Sequence, residues 1–255
     1  MIPAIFTDAT SLADAHWRPV LLSGLDAVHA ADPDYLPALA RDDYLPTKGR
    51  LFAAFAQPLE AIRYVLVGEG PYPREESATG VCFMDGAVKD LWSAQGLSKP
   101  VNRATSLRNF MKMLMVADGL LAPDSTGGSA IADISARAMP QNSGFIHTLP
   151  ELQDKLHQQG FLLLNAALVF RPHVPPVKEA RAWRPFLEVV LEALAGRTGQ
   201  PAPTLVLWGK IAAVLDGLPA FAHLPRIAAE HPYNLSFILN KDMQQLFGPM
   251  HLLRS

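Results

Sequence analysis

The stretch Ile62-Arg63-Tyr64-Val65-Leu66-Val67-Gly68-Glu69-Gly70-Pro71-Tyr72-Pro73 governs how the rest of the chain is read. Its first six residues have the length and apolar character of a short buried strand. The run then meets two glycines and two prolines, which end regular structure and let a backbone approach a ligand closely. Three further runs read the same way, giving predicted strands near 62–67, 161–165, 204–208 and 226–230. Strands buried on both faces and separated by helical segments predict an α/β fold. We expect a single domain over 1–255 with a central four-stranded parallel sheet flanked by helices. Ligands of such folds sit beyond the C-terminal strand ends. Three of these ends are Gly68-Glu69-Gly70, Asn165 and His231.

The intervening segments carry helical spacing. Residues 1–60 read mostly as helix, with Trp17, Val20, Leu21, Leu25 and Val28 on one face. Leu107, Phe110, Met111 and Leu114 predict a helix with Ser106 near its N-cap. Leu149, Leu152 and Leu156 predict another, stopped by Gly160. Trp183 to Leu194 and Ile211 to Leu215 predict two more. Residues 122–144 are rich in Gly, Ser, Pro and Asp, so they read as a long surface loop with one turn of helix around 131–137.

Bulk properties narrow the function. With 255 residues, 49% of them apolar, the chain can build one substantial core. No apolar run approaches the roughly 18 residues that span a bilayer, and the N-terminus lacks a basic leader region, so neither a membrane partner nor a signal peptide is expected. One cysteine excludes an internal disulfide and any metal site built from several cysteines, and a reducing cytoplasm is the simplest compartment. His147 and His157 lack ligand spacing, so no metal and no cofactor are expected. A net charge of −2 argues against coating nucleic acid by bulk electrostatics, while leaving room for a local basic groove from Lys99–Lys112 or Arg171–Arg184. Read alone, each of those segments is a solvated face.

Further motifs occur in order: Ala78-Thr79-Gly80-Val81-Cys82-Phe83, Ser106-Leu107-Arg108-Asn109, Leu162-Leu163-Leu164-Asn165, Leu207-Trp208-Gly209 and His231-Pro232-Tyr233-Asn234-Leu235-Ser236. Together with the 68–73 loop they resemble the uracil-DNA glycosylase superfamily over nearly the whole chain. The main family reads Gly-Gln-Asp-Pro-Tyr-His at the first loop and His-Pro-Ser-Pro-Leu-Ser at the last. The resemblance implies a monomeric enzyme that acts on DNA carrying uracil or another damaged base and hydrolyses an N-glycosidic bond.

It also implies roles, each with a physical case. Such an enzyme extrudes the base, stacks it and reads its edge. Phe83 stands at the stacking position, although a lone Phe is more often core. Asn165 both donates and accepts, which suits uracil O4 and N3–H together, although a polar strand end also caps turns. Tyr72 would exclude a C5 methyl, with loop packing as its rival. His231 would donate to uracil O2, where charge accumulates as the bond breaks. Leu235 would be the wedge that fills the vacated space. Ser106 and Ser236 would contact phosphates, as would Arg171 and Arg181, which fall in family register.

The departure lies in the first loop. The family's catalytic Asp falls on Gly70, its Gln on Glu69 and its His on Pro73, so the water-activating carboxylate is absent and Glu69 is the only acid within the loop. Gly-Glu-Gly-Pro also resembles the iron–sulfur uracil-DNA glycosylases, which likewise lack that Asp. Those need four cysteines, and this chain has only Cys82. Three readings stay open: a uracil-DNA glycosylase of reduced or altered activity, a non-catalytic protein that binds lesions or a partner, and a glycosylase for a different base.

Overall fold

The computed structural model describes all residues, Met1–Ser255. The first part holds helices α1 (Ala4–Ala9), α2 (Arg18–Ala31) and α3 (Tyr35–Leu39), then strands β1 (Tyr64–Gly68), β2 (Trp92–Ser93) and β3 (Gly96–Leu97). Helices α4 (Lys99–Arg103), α5 (Thr105–Ala117), α6 (Gly128–Ala138) and α7 (Leu149–Gln158) lead to β4 (Phe161–Asn165) and α8 (Pro176–Ala195). The remainder comprises β5 (Thr204–Trp208), α9 (Ile211–Leu215), α10 (Pro219–His223), β6 (Arg226–Ala229) and α11 (Lys241–Phe247). No helix is long and apolar enough to cross a membrane.

The chain forms two compact units, Met1–Gly86 with Gly160–Ile227 and Ala87–Gln159 with Ala228–Ser255. The central sheet is four-stranded in the order β4-β1-β5-β6, parallel and flanked by helices as expected. β1 and β4 register Tyr64 on Phe161 through Gly68 on Asn165. The ladder therefore begins two residues later than the apolar run suggests. Arg63 and Tyr64 both donate to Gly160 O, the turn that delivers β4, and this fixes where pairing starts.

The core of the first unit lies between the sheet and its helices. Leu21, Leu25 and Val28 of α2 pack with Trp183, Phe186, Leu187 and Val190 of α8, all at most 2% exposed. Phe186 stacks on Phe52 with centroids 5.6 Å apart. Each such side chain removed from water contributes roughly 1.5–3 kcal/mol, which holds α8 in place although Pro185 interrupts its hydrogen bonding.

One local expectation is corrected. Residues 122–144 are not one loop, because α6 occupies Gly128–Ala138. It is held by Ile131, Ile134, Ser135 and Ala138, spaced three and four apart and buried, with the Ser135 hydroxyl donating to Ser93 O at 2.6 Å. Ser106 stands near the N-cap of α5, as expected. The cap position is Ala104, without a side-chain bond, and Ser106 lies in the first turn. Thr148 caps α7 through a full capping box with Glu151.

Candidate active site

In the first unit, strand pairing runs on into the 68–73 loop. Ala166 N–H donates to Gly68 O at 2.7 Å and Ala167 N–H to Glu69 O at 3.0 Å. A Cβ at position 68 would collide with Cys82 Sγ and lie 3.0 Å from Asn165 Oδ1, so only glycine lets the loop, Cys82 and Asn165 pack together. Gly70 differs. A Cβ there would meet only Ala167 Cβ at 3.5 Å and Ala167 O at 3.6 Å, ordinary contact distances. Packing does not demand glycine at position 70.

The 77–86 segment folds back as a turn. Ala78 bridges to Asp85, and Gly86 N–H donates to Ser77 O at 3.1 Å. Thr79 Oγ1 donates to Met84 O at 2.9 Å and accepts from Val81 N–H at 3.2 Å. Cys82 N–H donates to Leu163 O at 3.0 Å, tying the turn to β4. Burial pushes the Cys82 thiol up to about 12, so it packs as a neutral group. These ties hold Phe83 at φ 67°, a left-handed conformation that costs a bulky residue about 1–3 kcal/mol. Its ring meets Trp208 edge-on, centroids 5.2 Å apart. The Tyr72 hydroxyl reaches Phe83 O at 3.5 Å, and burial pushes that phenol well above its ordinary range. Asn165, at the end of β4, is 5% exposed, with its Oδ1 against Gly68.

Glu69 is exposed and lines a cleft of about 710 Å³ with Val177, Ala180, Arg181, Arg184 and Lys210. Arg184 Nη2 is committed to Asp216 O at 2.6 Å, whereas Arg181 and Lys210 are exposed. The acids after the loop are engaged elsewhere, since Glu75 accepts from the Thr47 hydroxyl at 3.0 Å and Glu76 lies 3.9 Å from Arg74. Arg171 is engaged within the first unit. Its guanidinium binds Glu179 at 2.6 Å and Asp42 at 3.0 Å and lies over the Tyr35 ring, contacts that tie it to the scaffold. Its contact with Asp42 holds that carboxyl below the usual range. Burial and the neighbouring Glu179 carboxylate push the Tyr35 phenol far up.

In the second unit, the 231–236 segment is exposed except for Pro232. Tyr233 N–H donates to His231 Nδ1 at 3.1 Å, which leaves the proton of the neutral ring on Nε2 as a donor. Asn109 Nδ2 donates to Pro232 O at 2.8 Å, with Tyr233 O and Asn234 O at 3.3 and 3.4 Å, so one buried amide from α5 anchors the segment. Leu235 is 68% exposed. Glu230, just upstream, is acted on upward by burial. Bonds from its own backbone, Ser236 and Asn240 outweigh this and lower it.

Neither Asn109 as an anchor nor Cys82 as the tether of the Phe83 turn follows from the spacing of motifs. Both depend on backbone partners far away in sequence. The cleft that sets Lys210 beside the Arg171–Arg184 segment is equally silent, because cations gathered from two helical segments leave no local pattern.

No family model matches the chain. A uracil-DNA glycosylase of Corynebacterium glutamicum is 30% identical over 222 residues, 86% of this chain and 80% of the relative. Uracil-DNA glycosylase 1 of Streptomyces avermitilis is 29% identical over 88% of this chain and 83% of its own length. The crystal structure of wild-type UNG from Nitratifractor salsuginis superposes with a TM-score of 0.87 at 40% identity, covering 97% of this chain and 96% of that one. The fold, the order of motifs and these similarities agree: the chain belongs to the uracil-DNA glycosylase family.

Proposed function

We propose that the chain releases uracil from DNA by hydrolysing its N-glycosidic bond, at a rate limited by the missing carboxylate at Gly70. The observation that carries this reading is Asn165 at the end of β4, 5% exposed and with its Oδ1 against Gly68 at the start of the loop. An amide held at the C-terminal end of a parallel strand stands where ligands of such folds bind. Uracil offers an acceptor at O4 and a donor at N3, the pair one amide can satisfy. The strained Phe83 supports the same reading, since such strain concentrates where function requires it.

In this mechanism Phe83 stacks the extruded base, Asn165 reads its edge and Tyr72 crowds C5. Nε2–H of His231 meets the charge growing on O2. The sugar develops oxocarbenium character as the bond breaks. Without an anion at position 70, water addition rests on the leaving-group side and on Glu69, the loop's one acid. The test is release of free base from uracil-containing oligonucleotides, single- and double-stranded, at high protein concentration. Asn165→Ala is expected to lower release at least about 10-fold, the cost of losing bonds to a buried polar edge. Equal release by Asn165→Ala would remove base reading from the mechanism. Gly70 and Pro73 favour a second reading, a non-catalytic member that binds lesions, which binding without release would support.

DNA binding through Arg181 follows from its exposure beside Glu69 in a cleft with Lys210. Charge reversal, Arg181→Glu, is expected to weaken oligonucleotide binding and to reduce the salt slope by about one for each phosphate that is no longer neutralised. The same reversal at Arg171 should act on thermal stability instead, because it would place acid against Asp42 and Glu179. An unchanged salt slope for Arg181→Glu would remove this cleft from the DNA path.

A further inference from the structure

Three of the eight exposed large apolar side chains, Tyr233, Leu235 and Leu239, fall within seven residues, at 67%, 68% and 48% exposure. They are not on a loose loop. Asn109 holds three successive carbonyls, Asn234 N–H donates to His231 O at 2.9 Å, and Phe237 N–H donates to Asn234 O at 3.2 Å. Phe237 and Ile238 are buried beneath. A rigid segment therefore presents an aromatic ring and a leucine to solvent side by side. The segment of residues 235–239 packs on α5. Residues 91–117, which include α4 and α5, carry Lys99, Arg103, Arg108 and Lys112 and no acid. Exposed aromatics next to a cationic stretch are the elements of single-strand nucleic-acid recognition, in which bases stack on rings and cations follow the phosphates.

We propose that Tyr233 is a base-stacking residue: its ring stacks on the nucleotide flanking the extruded one, so that this segment enters DNA with two side chains, Tyr233 as a platform and Leu235 as a wedge. The inference rests on the reading of the chain as a DNA-binding glycosylase. It adds a residue that differs in kind from the serine at the corresponding place of the family motif. Every base has a π face, so the contact is tolerant of sequence. Preorganisation by Asn109 lowers the ordering cost of the contact. A protein partner is the less favoured occupant, because the patch is small and the helices beneath it, α4 and α5, carry cations and no acid.

The test uses the 255-residue chain and oligonucleotides, single- and double-stranded, with 2-aminopurine next to uracil on either side. Binding of the natural chain is expected to change the probe's fluorescence on one side only. Tyr233→Phe should keep that change and the affinity. Tyr233→Leu, which keeps apolar bulk and loses the aromatic face, should abolish the change and weaken binding roughly 5- to 100-fold. Equal thermal midpoints are expected for these exposed substitutions and are checked alongside. If Tyr233→Leu binds and quenches like the natural chain, the stacking role is overturned, while uracil release by the natural chain leaves the glycosylase reading intact. An effect confined to duplex DNA also overturns it, since the contact would then be to the opposite strand. Absence of any oligonucleotide binding by the natural chain overturns the DNA reading itself.

Discussion

Gly70→Asp is expected to raise single-turnover uracil release by about 10- to 1,000-fold. The geometry permits the substitution. A Cβ at position 70 stands 3.5 Å from the nearest side-chain atom, the position is exposed, and its backbone is outside the left-handed region. A carboxylate there would orient the attacking water and offset the positive charge developing on the sugar. General-base groups typically contribute about 100- to 10,000-fold, and the smaller range reflects Pro73 and Glu69, which also depart from the family loop. Gly70→Asn is the control, with the same shape and no charge. If charge is the cause, Asn should gain little. The rate of Gly70→Asp should also rise with pH as the new carboxyl ionises, around pH 4 for an ordinary Asp, and then level off. If neither the natural chain nor Gly70→Asp releases uracil from either form of DNA, catalysis is lost as a reading and lesion binding remains.

The sequence is most legible where burial is two-sided and local. The apolar runs of β4 and β5 appear at 161–165 and 204–208 as read. The start of β1 is less so, because Gly160 decides it from 96 residues away through bonds to Arg63 and Tyr64. α6 is hidden because its Gly, Ser and Ala content resembles a loop. Only burial shows that Ile131, Ile134, Ser135 and Ala138 share a face. α8 begins at Pro176, seven residues before the periodic run at Trp183. Its first turns hold Glu179, 2% exposed, whose charge is balanced by Arg171. A buried acid paired across the loop after β4 reads in sequence as an exposed polar residue, and its partner reads as a phosphate contact. The candidate site is legible through its motifs. The ties that give it shape, Thr79 to Met84 and Cys82 to Leu163, are not, because backbone carbonyls leave no trace in composition.

His231→Ala is expected to reduce whatever uracil release the natural chain shows by about 100- to 1,000-fold, the usual cost of removing one preorganised donor from a developing anion. The donor is prepared by the backbone. Tyr233 N–H occupies Nδ1 at 3.1 Å, so the neutral ring presents Nε2–H, and Asn109 fixes the carbonyls that follow. A donor set in this way costs little reorganisation as charge moves onto the base. Its importance should be larger here than in a protein with a carboxylate at position 70, because the leaving-group side carries more of the stabilisation. Two measurements separate this role from a structural one. Binding to an abasic-site oligonucleotide should change little in His231→Ala, since no leaving group is present to receive the bond. Replacing uracil by 5-fluorouracil, whose ring better tolerates negative charge, should shrink the loss caused by His231→Ala, because the donor has less charge to stabilise. An equal loss on both bases, with weakened abasic-site binding, would assign His231 to holding the segment in place, with no part in stabilising the departing base.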